Sequence, residues 1–336
     1  MTNEKTVLVL GATGGIGGEV ARQLRDAGWQ VRAMGRRVDP AGEQRDGMTW
    51  VRGDAMNPSE VVAAAAGCSV LVHAVNPPGY KRWSRVVIPM IESTITAARR
   101  HNATIVLPGT VYNYGPDAFP LLKESSPQRP VTRKGAIRVR LEQRLRDYAE
   151  SGGKVIVVRA GDYFGPRSDN NWFGGGMITA GSPVKRIWNP SSPGAGHQWA
   201  YLPDVARTMV QLLEKRSGLE RFASFHMGGH WDADGTSMAK AIQASVAAAG
   251  PGTPRITPFP WWLLHLAAPF NETMRELREM RYLWQQPVQL DNSKLVATLG
   301  AEPHTPLDQA VSTSLAGLGC IEPDRTSAKA AVVASS

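Results

Sequence analysis

Short apolar runs alternate with longer segments of helical spacing along the first half of the chain. The apolar runs are residues 7–10, 30–34, 49–52, 70–73, 104–107 and 155–159, and runs of this length are typical of strands buried on both faces. Between them, apolar positions recur three and four residues apart, as in 14–27 and 83–100, which predicts helices. Strands that alternate with helices in this way predict an α/β fold with a doubly wound parallel sheet.

The regular alternation stops after residue 165. The next stretch is rich in asparagine, tryptophan and glycine, which favours an irregular segment, and residues 258–284 combine many aromatic side chains with the spacing of an amphipathic helix over a cleft. We therefore expect a first domain over 1–165, to which later segments return, and a smaller C-terminal substrate-binding domain over most of 166–322. Residues 323–336 are poor in large apolar side chains and predict a disordered tail.

The first apolar run leads directly into a glycine-rich turn. Gly11, Gly14 and Gly17 lie between the first strand and the first helix, and a turn in this position binds a diphosphate well. Gly11 allows the tight turn, Gly14 the close approach of a pyrophosphate, and Gly17 the packing of helix on strand. The unpaired N–H groups of the helix N-terminus face the negative charge. We expect the turn to bind a dinucleotide cofactor through Gly11, Thr13, Gly14, Gly15, Ile16 and Gly17.

The second predicted strand ends in a basic pair. Met34 occupies the position, about twenty residues after the glycine turn, where NAD-binding proteins carry an acidic residue for the ribose hydroxyl. Arg36 and Arg37 follow it, and guanidinium groups bind a 2′-phosphate through charge-assisted hydrogen bonds. The sequence therefore predicts NADP(H) rather than NAD(H) as the cofactor. Asp39 close by keeps open the alternative of a solvated basic turn.

Composition and charge exclude several classes of protein. The 336 residues are 42% hydrophobic and carry a net charge of +9. Because the basic residues are dispersed among acidic ones and form no known nucleic-acid-binding motif, we expect no nucleic-acid partner. Cys68 and Cys320 form no CxxC pair, and His226 and His230 lie around a glycine pair, so we expect neither a disulfide framework nor a metal site. The sequence has no segment of membrane-spanning length and no signal peptide, which predicts a cytoplasmic protein without membrane contact.

The spacing GxxGxxG of the glycine turn resembles the short-chain dehydrogenase/reductase superfamily. The strand end at Thr110 and the turn at residues 160–166 resemble the extended branch of that superfamily, the NAD-dependent epimerases and dehydratases. The resemblance implies a homodimer formed through the helices near 83–100 and 134–150. It implies that Thr110 hydrogen-bonds the reacting oxygen of the substrate. It also implies cofactor contacts for Asp54 beside the adenine and for Ala74, Val75 and Asn76 beneath the nicotinamide ribose.

The YxxxK motif of this superfamily is replaced here. Lys134 stands in the place of the tyrosine and Arg138 in that of the lysine. The pattern resembles isoflavone-type reductases, in which a lysine in this place is the catalytic base, and NmrA-like proteins, some of which bind NADP without turnover. The two residues are four apart and share a helix face, so both can face a cleft. As a base, Lys134 needs its pKa lowered from roughly 10.4 to neutrality, a cost of about 4 kcal/mol, whereas a charged donor that polarises an oxygen needs no such change.

These features predict an atypical extended short-chain dehydrogenase/reductase that uses NADPH to reduce a small aromatic or apolar carbonyl, enone or benzylic compound. Thr110 and Lys134 hold or protonate the substrate oxygen, or Lys134 instead anchors the cofactor. Arg138 orients Lys134 or tunes its pKa, and Tyr112 is the nearest replacement for the missing tyrosine. Two alternatives stay open: a nucleotide-sugar epimerase or dehydratase, and a regulator that binds NADP without catalysis.

Ring-bearing side chains in the second half are candidate substrate contacts. His197, Trp199 and Tyr201 alternate along a predicted strand and so point to one side. That side faces either the substrate or a buried aromatic seam. We expect an aromatic-lined pocket for a flat or apolar molecule, formed by Trp172, Phe173, His197, Trp199 and Tyr201.

Overall fold

The structure, a computed structural model, describes residues 3–76, 83–168, 171–250, 252–269 and 271–322. The strands are β1 (Asn3–Leu10), β2 (Gln30–Gly35), β3 (Glu43–Arg45), β4 (Met48–Arg52), β5 (Cys68–His73), β6 (Thr104–Gly109), β7 (Leu121–Leu122), β8 (Lys154–Arg159), β9 (Asp162–Phe164), β10 (Arg186–Asn189), β11 (His197–Tyr201), β12 (Phe222–His226), β13 (His230–Asp232), β14 (Arg255–Pro258) and β15 (Gln289–Leu290). The helices are α1 (Gly15–Asp26), α2 (Pro58–Ala64), α3 (Trp83–His101), α4 (Arg133–Glu150), α5 (Leu202–Glu214), α6 (Ser237–Ala249), α7 (Trp261–Ala267), α8 (Glu272–Glu279), α9 (Ser293–Leu299) and α10 (Leu307–Gly317).

The main sheet has the order β12-β8-β6-β5-β1-β2-β4-β3 among the described residues. Its strands pair in parallel except for β3, which pairs antiparallel with β4 at one edge. The strand order reverses between β1 and β5, because the chain runs outward to β2 and β4 first and then crosses to β5, β6 and β8. The predicted doubly wound parallel sheet is therefore confirmed, and the gap at the reversal is where such sheets bind ligands.

Alternate residues of the central strand β1 are buried on opposite faces of the sheet. Val7 and Val9 pack with α1 and α5, and Leu8 and Leu10 pack with α2, α3 and α4. All four side chains have no solvent exposure, and each such burial contributes about 1.5–3 kcal/mol. The uninterrupted apolar run in the sequence thus reflects a strand covered by helices on both sides.

Two strands of the main sheet carried no clear signal in the sequence. The edge strand β3 is short and composed of polar residues, so no apolar run marks it. Strand β12 comes from far beyond the first half of the chain and pairs with β8. Helix α5 likewise packs on the main sheet beside α1.

Most of the remaining elements form a smaller lobe over the carboxyl ends of the main strands, whereas α9 packs on the core of the main sheet. The smaller lobe contains the three-stranded sheet β13-β11-β9 and the pairs β10-β14 and β7-β15, with α6 and α10 packed on an aromatic core. The tail predicted over 323–336 lies outside the described residues. None of the helices in the described part of the chain combines the length and the apolarity that crossing a bilayer requires.

Candidate functional site

A cleft of about 910 Å³ separates the carboxyl edge of the main sheet from the smaller lobe. The ends of the central strands form its floor, from β4 and β2 through β1 and β5 to β6, and the smaller lobe forms its opposite wall. Four strand spacings of about 4.8 Å give the floor a length of roughly 19 Å. The cleft therefore lies at the reversal of strand order and is an extended groove along the strand ends.

The glycine turn occupies the middle of the cleft floor. Gly11 has φ +92°, and a Cβ there would lie 2.5 Å from the carbonyl oxygen of Ala74. A Cβ on Gly17 would lie 2.2 Å from the carbonyl oxygen of Gly11, so Gly17 sits beneath the cleft and brings α1 against the turn. The cleft itself is lined by Gly11, Thr13, Gly14, Gly15 and Ile16.

The start of α1 suits a diphosphate. Gly14 is the residue before the helix and, as a glycine, has no side chain that could cap it, and the first turn carries no acidic residue. The first N–H groups of the helix are therefore not neutralised from within that turn, and they complement an anion in the cleft. Together with the close approach at Gly11, this cradle fits the pyrophosphate of a dinucleotide.

One end of the cleft fits the adenosine half of such a molecule. Met34, Arg36 and Asp54 line it at the ends of β2 and β4, as the sequence predicted for the last two. Arg36 and Arg37 are both exposed, and of the two Arg36 is among the residues that line the cleft and Arg37 is not. The loop Ala74, Val75 and Asn76 lines the cleft next to the glycine turn.

At the other end, Thr110 belongs to a closed ring of hydrogen bonds, of which the two between Arg159 and Glu142 are buried and the others partly buried. Its Oγ1 donates to Oδ1 of Asn113 over 3.2 Å, and Nδ2 of Asn113 donates to Oε1 of Gln128 over 3.1 Å. Gln128 donates to Oε2 of Glu142 over 3.1 Å, and Glu142 accepts from Arg159 over 2.8 and 2.9 Å. Arg159 closes the ring by donating to the carbonyl oxygen of Thr110. The ring fixes Thr110 in the cleft wall, where Tyr112 also lies.

Helix α4 separates its two predicted catalytic residues. Arg138 lines the cleft over the ring of Trp83, 5.0 Å from its centroid. Lys134 is 1% exposed, and its Nζ lies 3.7 Å from Oε2 of Glu276 on α8. The structure thus corrects the expectation that both side chains face the cleft: Arg138 lines it, whereas Lys134 is buried beside Glu276, with Nζ 5.9 Å from the centroid of the same Trp83 ring. A catalytic or cofactor-anchoring role for Lys134 stays a prediction.

Burial gives Lys134 an unusual proton affinity. Desolvation lowers its pKa to about 8, against the opposing pull of Glu276 and Glu279. Because the unfolded chain then binds more protons than the folded protein, we expect the free energy of unfolding to rise by about 2 kcal/mol between about pH 7 and about pH 9.5. Lys134→Met removes this contribution. Urea denaturation of both proteins across this range measures it, and parallel stability curves would contradict it.

Two cleft residues that the sequence reasoning did not single out follow the strand β8. Asp162 and Tyr163 line the cleft at the start of β9. Burial raises the pKa of Tyr163 to about 12, while Arg138 and Arg159 act in the opposite direction, so the phenol stays neutral and able to donate a hydrogen bond. Polar residues directly after a buried parallel strand are the signal by which the sequence marks them.

The predicted substrate contacts divide into two groups. Trp172 lines the cleft, together with Phe259, Leu264, Met274 and Leu277. The other four are part of the buried core of the smaller lobe or of its margin, which corrects that expectation. Three of the four alternate along β11, and the side that these three share is the aromatic seam. The four are Phe173, His197, Trp199 and Tyr201.

Polar side chains near β12 and β13 make hydrogen bonds within the protein. The carboxylate of Asp232 accepts from the backbone N–H of Ser237 and Met238 at the start of α6. His226 lies between the hydroxyl of Tyr114 and the carbonyl of Leu122, and burial lowers its pKa to about 3. Over the part of the chain that the structure describes, no group of three or more possible ligands clusters around a common point.

Solved structures of similar fold include nucleotide-sugar enzymes. A UDP-glucose 4-epimerase from Bifidobacterium longum in complex with NAD+ and UDP is 17% identical, with 92% of this chain and 97% of that chain covered and a TM-score of 0.68. The UDP-glucose 4-epimerase of Thermus thermophilus in complex with NAD is 20% identical, with 93% and 98% covered and a TM-score of 0.65. The enzyme WbmH of Bordetella bronchiseptica in complex with NAD+ is 19% identical, with 93% and 97% covered and a TM-score of 0.66.

The family assignment comes from the sequence itself. No curated protein matches the chain significantly. A model of the NAD dependent epimerase/dehydratase family matches residues 7–228, a range that begins in β1, includes the glycine turn and ends just after β12. This range contains the main sheet apart from the first residues of β1, and most of the cleft residues. The chain belongs to the NAD-dependent epimerase/dehydratase family.

Proposed function

We propose that the chain is an NADP(H)-dependent oxidoreductase that reduces a small aromatic or otherwise apolar carbonyl, enone or benzylic compound. The observation that carries the proposal is the contrast between the two walls of the cleft. The floor offers a dinucleotide the glycine turn, whereas the smaller lobe contributes mostly apolar and aromatic side chains, among them Trp172, Phe259 and Met274. A pocket of this composition suits a flat, apolar molecule.

The polar groups near that wall are suited to a single reacting oxygen. Thr110, held by its ring of hydrogen bonds, lies in the wall with Tyr112 and the guanidinium of Arg138. A nicotinamide cofactor supplies or accepts the hydride in this family. Donors fixed in advance stabilise negative charge on a carbonyl oxygen without reorganisation. Thr110 and Arg138 would orient and polarise the substrate oxygen.

Arg36 is the proposed determinant of cofactor choice. It lines the cleft at the end of β2, and a guanidinium there favours the 2′-phosphate of NADP(H). We expect Arg36→Ser to weaken NADPH binding by about tenfold or more, the loss of a charge-assisted hydrogen bond, and to leave NADH binding unchanged. Arg37→Ser, a matched change of a residue that does not line the cleft, serves as the control. Calorimetric titration measures all four affinities, and equal losses for both cofactors would contradict the assignment.

A nucleotide-sugar epimerase is the second candidate, because enzymes of that kind are among the structures of similar fold. A diphosphate in the substrate half needs basic partners, and of the described lining residues that are charged, two are acidic and two basic: Asp54, Asp162, Arg36 and Arg138. Arg36 lies at the adenosine end, so among these lining residues the task falls to Arg138. The apolar wall therefore supports the reductase over the epimerase.

A substrate panel separates the candidates. Aromatic ketones, enones, benzylic ethers and UDP-sugars are incubated with the protein and NADPH or NADP+. Oxidation of NADPH with stoichiometric product supports the reductase, and sugar interconversion without net cofactor consumption supports the epimerase. Tight NADPH binding without turnover of any member supports a non-catalytic NADP-binding regulator.

We also propose a homodimer formed through α3 and α4. These helices lie side by side on one face of the main sheet, where a second copy could pack against them. Sedimentation velocity measures the mass in solution, and a monomer at all concentrations would contradict this assembly.

A further inference from the structure

A carboxylate backed by a buried histidine lies at the reactive end of the cleft. The Asp162 side chain is 16% exposed and lines the cleft, and its Oδ2 lies 2.8 Å from Nε2 of His197. His197 itself is 5% exposed. The pair is formed by β9 and β11, which run in parallel in the small sheet of the smaller lobe.

The histidine ring is held firmly in place. It stacks on the indole of Trp284 with ring centroids 3.7 Å apart and an interplanar angle of 12°. The ring of Trp199 approaches its edge, with centroids 5.2 Å apart. Aromatic packing of this kind restricts the ring to one orientation, so Nε2 remains directed at the carboxylate of Asp162.

The partners of the ring show that the pair can hold an additional proton. Nδ1 of His197 lies 3.3 Å from the carbonyl oxygen of Leu283, and a carbonyl oxygen only accepts hydrogen bonds. An ionised carboxylate also only accepts, and a neutral imidazole carries a single N–H. Both contacts are satisfied only when the ring carries two protons or when Asp162 carries one. The geometry therefore favours a protonated pair, which carries one more proton than a neutral imidazole beside an ionised carboxylate would.

We propose that Asp162 is the catalytic residue that exchanges a proton with the substrate oxygen, and that His197 is its positioning residue. The inference rests on the proposed function and deepens it. In the reducing direction, the substrate carbon gains a hydride, its oxygen takes a proton from the Asp162–His197 pair, and the C=O bond becomes CH–OH. In the oxidising direction the O–H bond breaks, the proton returns to the pair, and the hydride leaves the same carbon.

The arrangement explains how the family site operates here without its tyrosine. Lys134, which stands in the place of the tyrosine, is buried beside Glu276. Asp162 lies in the wall, with Arg138 and Tyr163 in the same cleft. A carboxylic acid that gains and loses a proton through a hydrogen-bonded partner serves as acid in one direction and as base in the other. The proton function has therefore moved from α4 to the start of β9.

Spectroscopy tests the proton content of the pair without turnover. Nitrogen NMR of His197, assigned by its loss in His197→Gln, reports which ring nitrogens are protonated. The infrared carboxyl band that disappears in Asp162→Asn reports the state of Asp162. We expect two protonated ring nitrogens or a protonated carboxyl group, the two states that satisfy both contacts of the ring. A ring with one proton beside an ionised carboxylate would overturn the inference.

Kinetics test the role in catalysis with the best substrate of the panel. We expect Asp162→Asn to lower kcat at least about 100-fold, the usual contribution of a general acid or base, with the NADPH affinity unchanged. Asp162→Glu should restore part of kcat, and added formate should accelerate Asp162→Ala. His197→Gln should lower kcat without raising KM. In the double variant Asp162→Ala with His197→Gln, added formate should accelerate the reaction less than it does in Asp162→Ala alone. Asp26→Asn, a change of a 63% exposed side chain at the end of α1, is the matched control.

The outcomes separate this inference from the proposed function. If the unaltered protein binds NADPH but turns over no member of the panel, both fail. If it turns over a ketone or enone and Asp162→Asn retains that activity, this inference alone fails. If UDP-sugars are the substrates and Asp162→Asn loses activity, the proposed reductase fails and the role of Asp162 stands.

Discussion

Gly17→Ala is expected to abolish detectable NADPH binding and to lower the free energy of unfolding by about 1–3 kcal/mol, the usual cost of overpacking. A Cβ at this position would lie 2.2 Å from the carbonyl oxygen of Gly11 and 3.1 Å from Cβ of Ala74. Both neighbours belong to the two loops that meet at the reversal of strand order, so α1 can accept the methyl group only by moving away from the turn. Calorimetric titration with NADPH and urea denaturation measure the two effects.

Gly218→Ala is the matched control, because a Cβ there meets no atom within 4 Å. It should leave both NADPH affinity and stability close to those of the unaltered protein. Retention of NADPH binding by Gly17→Ala would show that the cofactor does not depend on the contact between α1 and the glycine turn.

Glu142→Gln should destabilise the fold by about 3–5 kcal/mol, because it leaves a buried guanidinium without its counter-charge. Arg159 is 1% exposed, donates to both carboxylate oxygens of Glu142 and also to the carbonyl of Thr110. Loss of the carboxylate therefore loosens the ring of hydrogen bonds that fixes Thr110 in the cleft. We expect kcat to fall with stability, which urea denaturation and the substrate panel measure together.

An exposed ion pair provides the comparison. Glu92 and Arg144 lie 3.1 Å apart, with side chains about half exposed, and such pairs contribute about 0–1 kcal/mol. Glu92→Gln should therefore change little. The double variant Glu142→Leu with Arg159→Met should regain much of the lost stability, because no charge then remains buried at these two positions. A cost for Glu142→Gln no larger than that for Glu92→Gln would contradict the importance of the buried pair.

The parts of the site that the sequence reveals depend on local contacts. The glycine turn and Arg36 lie within or directly after single strands, so spacing along the chain determines their place in the cleft. The doubly wound sheet follows from the repeat of buried strand and amphipathic helix. These features can be predicted because the residues that form them are close together in the sequence.

Other parts depend on contacts between distant segments. Lys134 and Arg138 share a helix face, but only the packing of α8 places Glu276 against the first of them. The alternation of His197, Trp199 and Tyr201 predicts that they point to one side, yet it does not say that this side is the core. The pairing of Asp162 with His197 requires β9 and β11 to lie side by side, which no spacing in the sequence reveals.

The path of the chain between the two lobes has a mechanical consequence. The chain leaves the main sheet after β8, returns with α5 and β12, leaves again at β13 and returns with α9. A rigid-body rotation of one lobe relative to the other would have to bend all the chain segments that connect the two lobes at the same time. A fragment cut at residue 165 would lose β12 and so expose β8 as a bare edge prone to self-association.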